Sequence, residues 1–386
     1  MKSRNLLMIP GPIEFEHEVL QSMSSATPSH VDPKFISTFH HSLNFMKEVW
    51  QAPSGQAFIV AGSGTFAMEM AAANLIEQGD KVLVISTGYF GLRYADILKR
   101  YTVDVDILEA EVGDVVAIED IEQQLKTKSY KLLCFTHVDT STAVLNDAKA
   151  IGKLAQKHNV LTLMDAVCSV AGEEIKQEEW GLDIVVSASQ KAIGVPPGLA
   201  LLVASPKAIQ SFKQRKTKVQ NYYADWTNWL PIMKAYENKE ASYFATPPVN
   251  LIIALEKSLE MIIAEGLEQR FERHRKAGKA MRVALRALGL ELVSKNEKLS
   301  ANTLSAPFYP DNIDGTTFLK SINEQGVTLA GGLLPNLKGK YFRIGHMGSV
   351  NQNDLLATVG AIEKALEKHN HQQDLGVGTK KILELF

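Results

Sequence analysis

Val160-Leu161-Thr162-Leu163-Met164-Asp165 and, further along, Asp183-Ile184-Val185-Val186-Ser187-Ala188-Ser189-Gln190-Lys191 are the stretches on which the fold turns. Each contains a near-continuous apolar run rich in β-branched residues, which is how a strand covered on both faces reads. Each then meets a residue with chemistry. A carboxylate stands where the first run stops, and an amine stands just past the second.

Further runs of the same kind flank these two. Ala57–Ala61, Lys81–Ile85, Val103–Leu108, Lys131–Thr136 and Leu199–Ala204 complete a set of candidate strands with Val160–Met164 and Asp183–Ser187. Helical periodicity separates several of them, over Thr65–Ile76, Gly91–Arg100, Ile118–Thr127 and Asp147–His158. Strands alternating with helices predict an α/β architecture, a mostly parallel seven-stranded sheet with helices on both faces. After Ala204 the pattern changes. A polar, aromatic-rich stretch runs from Ser211 to Tyr243, and helices over Val249–Ala264 and Leu267–Leu288 lead into a second region. That region holds candidate strands at Glu291–Val293, Asn302–Phe308, Val327–Ala330 and Tyr341–Gly345, with helices over Thr316–Gln325 and Asp354–Lys368. Gly376 and Gly378 predict a flexible bend before a short terminal segment. The expected organisation is an N-terminal arm (1–20), a large domain (21–265) and a smaller α+β C-terminal domain (266–386), a normal division for 386 residues.

A formal net charge of -2 supplies no basic field for nucleic acid or an acidic membrane surface. No apolar stretch approaches the roughly 18 residues that a bilayer span needs. No signal peptide, presequence or peroxisomal ending is legible, so the cytosol is the expected compartment. Cys134 and Cys168 have neither metal nor redox spacing and read as buried free thiols, and no metal is expected. The balance favours a small-molecule function.

Ligands of open α/β sheets bind at the C-terminal ends of the strands, where Asp165 and Lys191 would sit. An amine able to form a Schiff base and a carboxylate able to keep a ring nitrogen protonated are the two needs of pyridoxal phosphate. Both residues equally fit ordinary strand-end charges. Gly62-Ser63-Gly64-Thr65, between a strand and a helix, offers backbone N–H groups and hydroxyls to a phosphate, or a plain N-cap. An aromatic in Gly88-Tyr89-Phe90-Gly91 could stack on a cofactor ring or pack in the core. Arg343, in Tyr341-Phe342-Arg343-Ile344-Gly345, could clamp a carboxylate or form a surface ion pair. Order along the chain decides between these readings.

Ser187-Ala188-Ser189-Gln190-Lys191 followed by Pro196-Pro197-Gly198 resembles the cofactor-lysine segment of class V aminotransferases, most closely the alanine–glyoxylate and serine–pyruvate group. The resemblance runs from Pro10-Gly11-Pro12 to Arg343-Ile344-Gly345 through Gly62–Thr65, Thr136–Thr142, Asp165-Ala166-Val167 and Tyr243–Pro248. It implies the fold type I architecture of pyridoxal-phosphate-dependent transferases. It implies Lys191 as the Schiff-base lysine, Asp165 at the ring nitrogen, Phe90 as the stacking ring and Thr140 beside the ring. Ser63, Gly64, Thr65 and Gln190 would hold the phosphate. Tyr243 and Thr246 would reach the phosphate of a neighbouring subunit, making a homodimer with shared sites. Arg343 would bind a substrate carboxylate, with Gly11 closing over it. The implied activity is transfer of an amino group from alanine or serine to a 2-oxo acid, glyoxylate foremost. Two departures stand out: Thr65 where many relatives have histidine, and Phe90 where tryptophan is commoner. The Ser-Gly-Thr form also occurs in aminoethylphosphonate–pyruvate aminotransferases, which remain the runner-up beside a non-catalytic homologue.

Overall fold

The computed structural model describes residues 5–371 and 374–386, so the first four residues of the expected arm lie outside the described residues. The seven expected strands form one sheet: β1 (Gln56–Ala61), β2 (Lys81–Ser86), β3 (Asp104–Glu109), β4 (Leu132–Thr136), β5 (Leu161–Asp165), β6 (Ile184–Ala188) and β7 (Leu199–Ala204). Their spatial order is β1-β7-β6-β5-β4-β2-β3. Only β7 runs against its neighbours, pairing antiparallel with both β1 and β6. Six strands therefore point the same way, and their C-terminal ends share one edge. That edge is where the loops of interest gather.

Every residue of β4 through β7 is buried, as continuous apolar runs require when helices cover both faces. The helix after β1, α1 (Gly64–Leu75), is apolar nearly all round and correspondingly buried. The helix after β2, α2 (Tyr89–Leu98), begins two residues earlier than its periodicity predicts. Asp139 supplies that start by accepting from two of its first N–H groups. Both cysteines are buried free thiols.

Two long helices, α3 (Val249–Glu265) and α4 (Leu267–Ala287), are separated only by Gly266, whose φ of +84° lets the chain turn at once. Beyond them a second apolar core forms around Met281, Leu285, Phe318, Phe342, Leu355, Ile362 and Ile382. The strand of Arg343, β8 (Phe342–Gly345), runs beside this core. Met8 joins the same core, and the short strand Leu6–Leu7 pairs in parallel with Val327–Thr328. The arm then passes under β8, where a side chain at Gly345 would collide with the Ile9 carbonyl. Among the described residues no helix is long and apolar enough to cross a membrane.

Three expectations need correction. Glu291–Val293 is not a strand; Leu292 makes a single bridge to Pro307, because the segment is too short to carry a ladder. The stretch Ser211–Tyr243 contains a helix, Trp226–Glu237, capped by Asp225 despite Pro231 inside it. Gly376 and Gly378 do not mark a flexible bend. Gly376 opens a terminal helix, Val377–Leu385, and Gly378 is buried in it, donating its N–H to Glu363 (2.7 Å). A side chain at Gly378 would press on Val359 at 2.8 Å, so glycine is there for close packing.

Candidate active site

Asp165 is the last residue of β5, level with Thr136 on one side and Val186 on the other. It is 5% exposed, and one carboxylate oxygen accepts from the Val167 N–H (2.9 Å). Burial pushes its carboxyl up to about 6, with nearby Asp139 adding to the rise and Lys191 and Arg93 opposing it. Lys191 follows β6 and is held below the usual lysine range, chiefly by burial. Its amine donates to the Pro10 carbonyl. Gly11, at φ +120°, lets the arm pass so close that a side chain there would lie 2.6 Å from that amine. A lysine that sheds its proton readily is the form needed for attack on a carbonyl carbon.

At the end of β1, Ser63 caps α1 by accepting from the Phe66 N–H (3.3 Å). The N-cap reading is thus correct, yet it leaves the turn able to bind an anion. The N–H groups of Gly64 and Thr65, in the first helical turn, have no acceptor among the described residues, and both Ser63 and Thr65 are exposed. Gln190 is half-buried, and its carbonyl anchors the arm by accepting from Ile13 (3.3 Å).

Phe90 sits in the first turn of α2, at the end of β2. One carboxylate oxygen of Asp139 accepts from the N–H groups of Phe90 (3.1 Å) and Gly91 (3.2 Å). The other accepts from the Ser141 N–H (2.9 Å) and hydroxyl (2.6 Å). Arg93 lies over the Phe90 ring at 4.7 Å and over Tyr89 at 5.0 Å, and reaches the Thr65 hydroxyl at 3.4 Å. Thr140 is buried beside Cys168, and its carbonyl accepts from Arg343 (3.4 Å). The Nε of Arg343 donates to Gly331 (2.9 Å), while its Nη2 has no acceptor among the described residues. That leaves a guanidinium edge free for a carboxylate.

The chain thus brings Ser63, Gly64, Thr65, Phe90, Thr140, Asp165, Gln190, Lys191, Gly11 and Arg343 to one sheet edge. Tyr243 and Thr246 are apart from them. They hydrogen-bond to each other (3.4 Å) and to none of the other site residues, and Tyr243 is 62% exposed. Asp139 and Arg93 were not singled out from the sequence. Asp139 carries the signal that found Asp165, a carboxylate just past a strand, and Arg93 falls three residues after Phe90, on the same helix face.

A sequence profile of aminotransferase class V matches residues 17–334. The chain belongs to the class V aminotransferases. The alanine–glyoxylate aminotransferase 1 of Saccharomyces cerevisiae is 38% identical, over 90% of this chain and 93% of its own length. The serine–glyoxylate aminotransferase of Arabidopsis thaliana is 31% identical, over 97% of this chain and 93% of its own. The crystal structure of an alanine–glyoxylate aminotransferase from Nostoc superposes with a TM-score of 0.89 at 33% identity, covering 95% of this chain and 96% of that one. The class V aminotransferase described here is accordingly a transaminase with the fold type I arrangement, a mostly parallel sheet followed by a C-terminal α+β part.

Proposed function

We propose that this aminotransferase binds pyridoxal phosphate at the sheet edge and moves the amino group of a small amino acid, alanine or serine, to a 2-oxo acid, glyoxylate foremost. The observation that carries the reading is the pair of half-buried Lys191 and buried Asp165, with the open helix start at Gly64–Thr65 on the same edge. The residues fit the cofactor. N–H groups without an acceptor among the described residues and the hydroxyls of Ser63 and Thr65 suit its phosphate, and Gln190 would join them there. A buried carboxylate suits a protonated ring nitrogen, the half-buried amine of Lys191 suits its aldehyde, and Phe90 and Thr140 suit the ring faces. When bound, pyridoxal phosphate supplies an electron sink for the carbon that loses its proton.

The chain's own residues do the rest. Arg343 holds the substrate carboxylate through its free edge, with Gly11 beside it, which fixes how the α-carbon faces Lys191. Lys191 would take the α-proton at its amine and give it back within the same half-reaction, so one side chain serves first as base and then as acid. Asp165, as a carboxylate, would hold a proton on the ring nitrogen. Two half-reactions on one site make the kinetics ping-pong. The names of the relatives support the donors and the acceptor.

Several features support a homodimer with shared sites. Tyr243 and Thr246 face outward beside a group of aromatics that includes Tyr222, 77% exposed, and Phe244. The division into arm (1–20), large domain (21–265) and small domain (266–386) is supported by the break at Gly266 and by a second core drawn, apart from Met8, from residues beyond it, while Leu304, Tyr341 and Met347 cross over to pack in the first core.

The deciding experiment is the visible absorption of purified protein supplied with pyridoxal phosphate, before and after L-alanine. A band that disappears with release of pyruvate supports the reading. A band that answers only to serine or to aminoethylphosphonate replaces the donor, and no band overturns the cofactor. Arg343→Ala is expected to raise the KM for the amino acid about 10–100-fold, the loss of one charge-assisted pairing. An unchanged KM would remove Arg343 from that role. Light scattering is expected to give twice the chain mass; a cofactor-loaded monomer would contradict the shared site.

A further inference from the structure

The first turns of α4 reach three of the loops that carry the proposed site, those of Asp165, Lys191 and Arg343. Arg270 is buried and turns each of its three nitrogens inward. Its Nε donates to the Ala171 carbonyl (2.8 Å), Nη2 to the Ala192 carbonyl (2.7 Å) and Nη1 to Glu265 (2.6 Å). Ala192 directly follows Lys191, and Ala171 lies at the end of the turn that leaves Asp165. Arg273 donates through Nη1 to the carbonyls of Gly348 (2.9 Å) and Val350 (3.3 Å), in the segment that leaves β8 and therefore Arg343. Its Nε and Nη2 hold Glu265 at 2.6 and 3.1 Å. His274 completes the set. The Gly348 N–H donates to its Nε2 (2.9 Å), which places the ring proton on Nδ1, donating to the Arg270 carbonyl (2.7 Å).

Residues spaced by three and four share one face of a helix, so these contacts come from a single rigid surface. Glu265, the last residue of α3, balances the two guanidinium charges at the point where Gly266 turns the chain. None of the four touches the place assigned to cofactor or substrate. Arg270, Arg273 and His274 bind backbone of loops that carry a site residue, and Glu265 holds the two arginines.

We infer that this face of α4, Arg270, Arg273 and His274 with Glu265, is a positioning device that sets Lys191 and Asp165 relative to Arg343. The inference rests on the proposed function. A planar guanidinium fixes two carbonyls in its own plane, so Arg270 sets the spacing of the Lys191 and Asp165 loops, and an ammonium cannot. Arg273 and His274 set the third loop. The two arginines should therefore govern different kinetic quantities.

The test uses the holoenzyme and the variants Arg270→Lys and Arg273→Gln. Arg275→Gln is the control, since among the described residues Arg275 pairs only with Glu268 and Glu272, on the exposed side of the same helix. Four quantities are read: the pH midpoint of the visible band that Lys191 makes with pyridoxal phosphate, the dissociation constant of that cofactor, and the kcat and KM for the amino acid. Arg270→Lys should shift the midpoint and weaken cofactor binding about tenfold, with little change in KM. Arg273→Gln, at a position one-third exposed, should raise KM about tenfold and leave the band in place. Arg275→Gln should change none of them. The inference is overturned if both test variants only lower the melting temperature, or move all four quantities together. If Arg270→Lys does not fold, the split between KM and band in Arg273→Gln decides alone. Wild-type protein without a Lys191-dependent band overturns the proposed function itself, and shows it before any variant is made.

Discussion

Lys191→Ala is expected to abolish transamination while leaving the protein folded. The proposed cycle needs one amine to reach two carbons in turn, and among the described residues assigned to the site no other side chain carries a lysine amine. Removing a group held beside its reacting atom forfeits proximity worth about 7–11 kcal/mol in favourable cases, or roughly five orders of magnitude and more in rate. The fold has little to lose. The amine contacts the Pro10 carbonyl, and burial already disfavours its charge. The variant should melt close to the wild type when both lack cofactor, and should show no lysine-linked visible band. Primary amines supplied in solution should restore part of the turnover, because the missing chemistry is a base of small size. Turnover of more than a few per cent without added amine would assign the proton transfer elsewhere.

Asp165→Asn should produce opposite changes in stability and activity. Burial and Asp139 raise the Asp165 carboxyl from 3.8 to about 6. A carboxyl whose pKa is raised on folding favours the folded chain only while it is protonated. That contribution is complete below about pH 4 and is lost as the pH climbs through about 6. At pH 8 the cofactor-free protein therefore carries a penalty of order 2–3 kcal/mol. Asparagine carries no charge, and its carbonyl can still accept from the Val167 N–H. The cofactor-free variant should thus melt higher than the wild type at pH 8 and no higher at pH 4. Its catalytic rate should fall about 10³-fold, since a neutral amide cannot hold a ring proton against a basic solvent. Parallel melting curves at the two pH values check the first half. If the wild type were the more stable at pH 8, the carboxylate would have partners beyond those described.

The seven strands were legible because each is a short apolar run with β-branched residues, and the structure moves their ends by a residue or so. Their order was not. Nothing in Ala57–Ala61 says that its sheet neighbour is Leu199–Ala204, because pairing is chosen by the packing of whole layers. Asp165 and Lys191 stood out by position, just past strands, and Arg343 by its motif. Asp139 shares that position but was passed over beside Thr140. The grip of Arg270 and Arg273 could not be read, since their partners are backbone carbonyls, which every residue has. Gly378 misled for the reverse reason. In sequence it reads as freedom, whereas in the fold Val359, Glu363 and Leu288 leave no room for a side chain there.

The antiparallel return of β7 has a consequence for synthesis. β1 leaves the ribosome early, yet it lies at the edge of the sheet and its one neighbour is β7, with Ala61 level with Leu199. About 140 residues must follow before that neighbour exists, roughly 7–28 s at about 5–20 residues per second. For that interval Ala57-Phe58-Ile59-Val60-Ala61 is an apolar strand with no bonding partner on either side, the kind of segment that seeks another chain. The nascent protein must keep it covered, by the helix Pro33–Val49 made just before it or by a chaperone, until the second half of the sheet arrives to claim it.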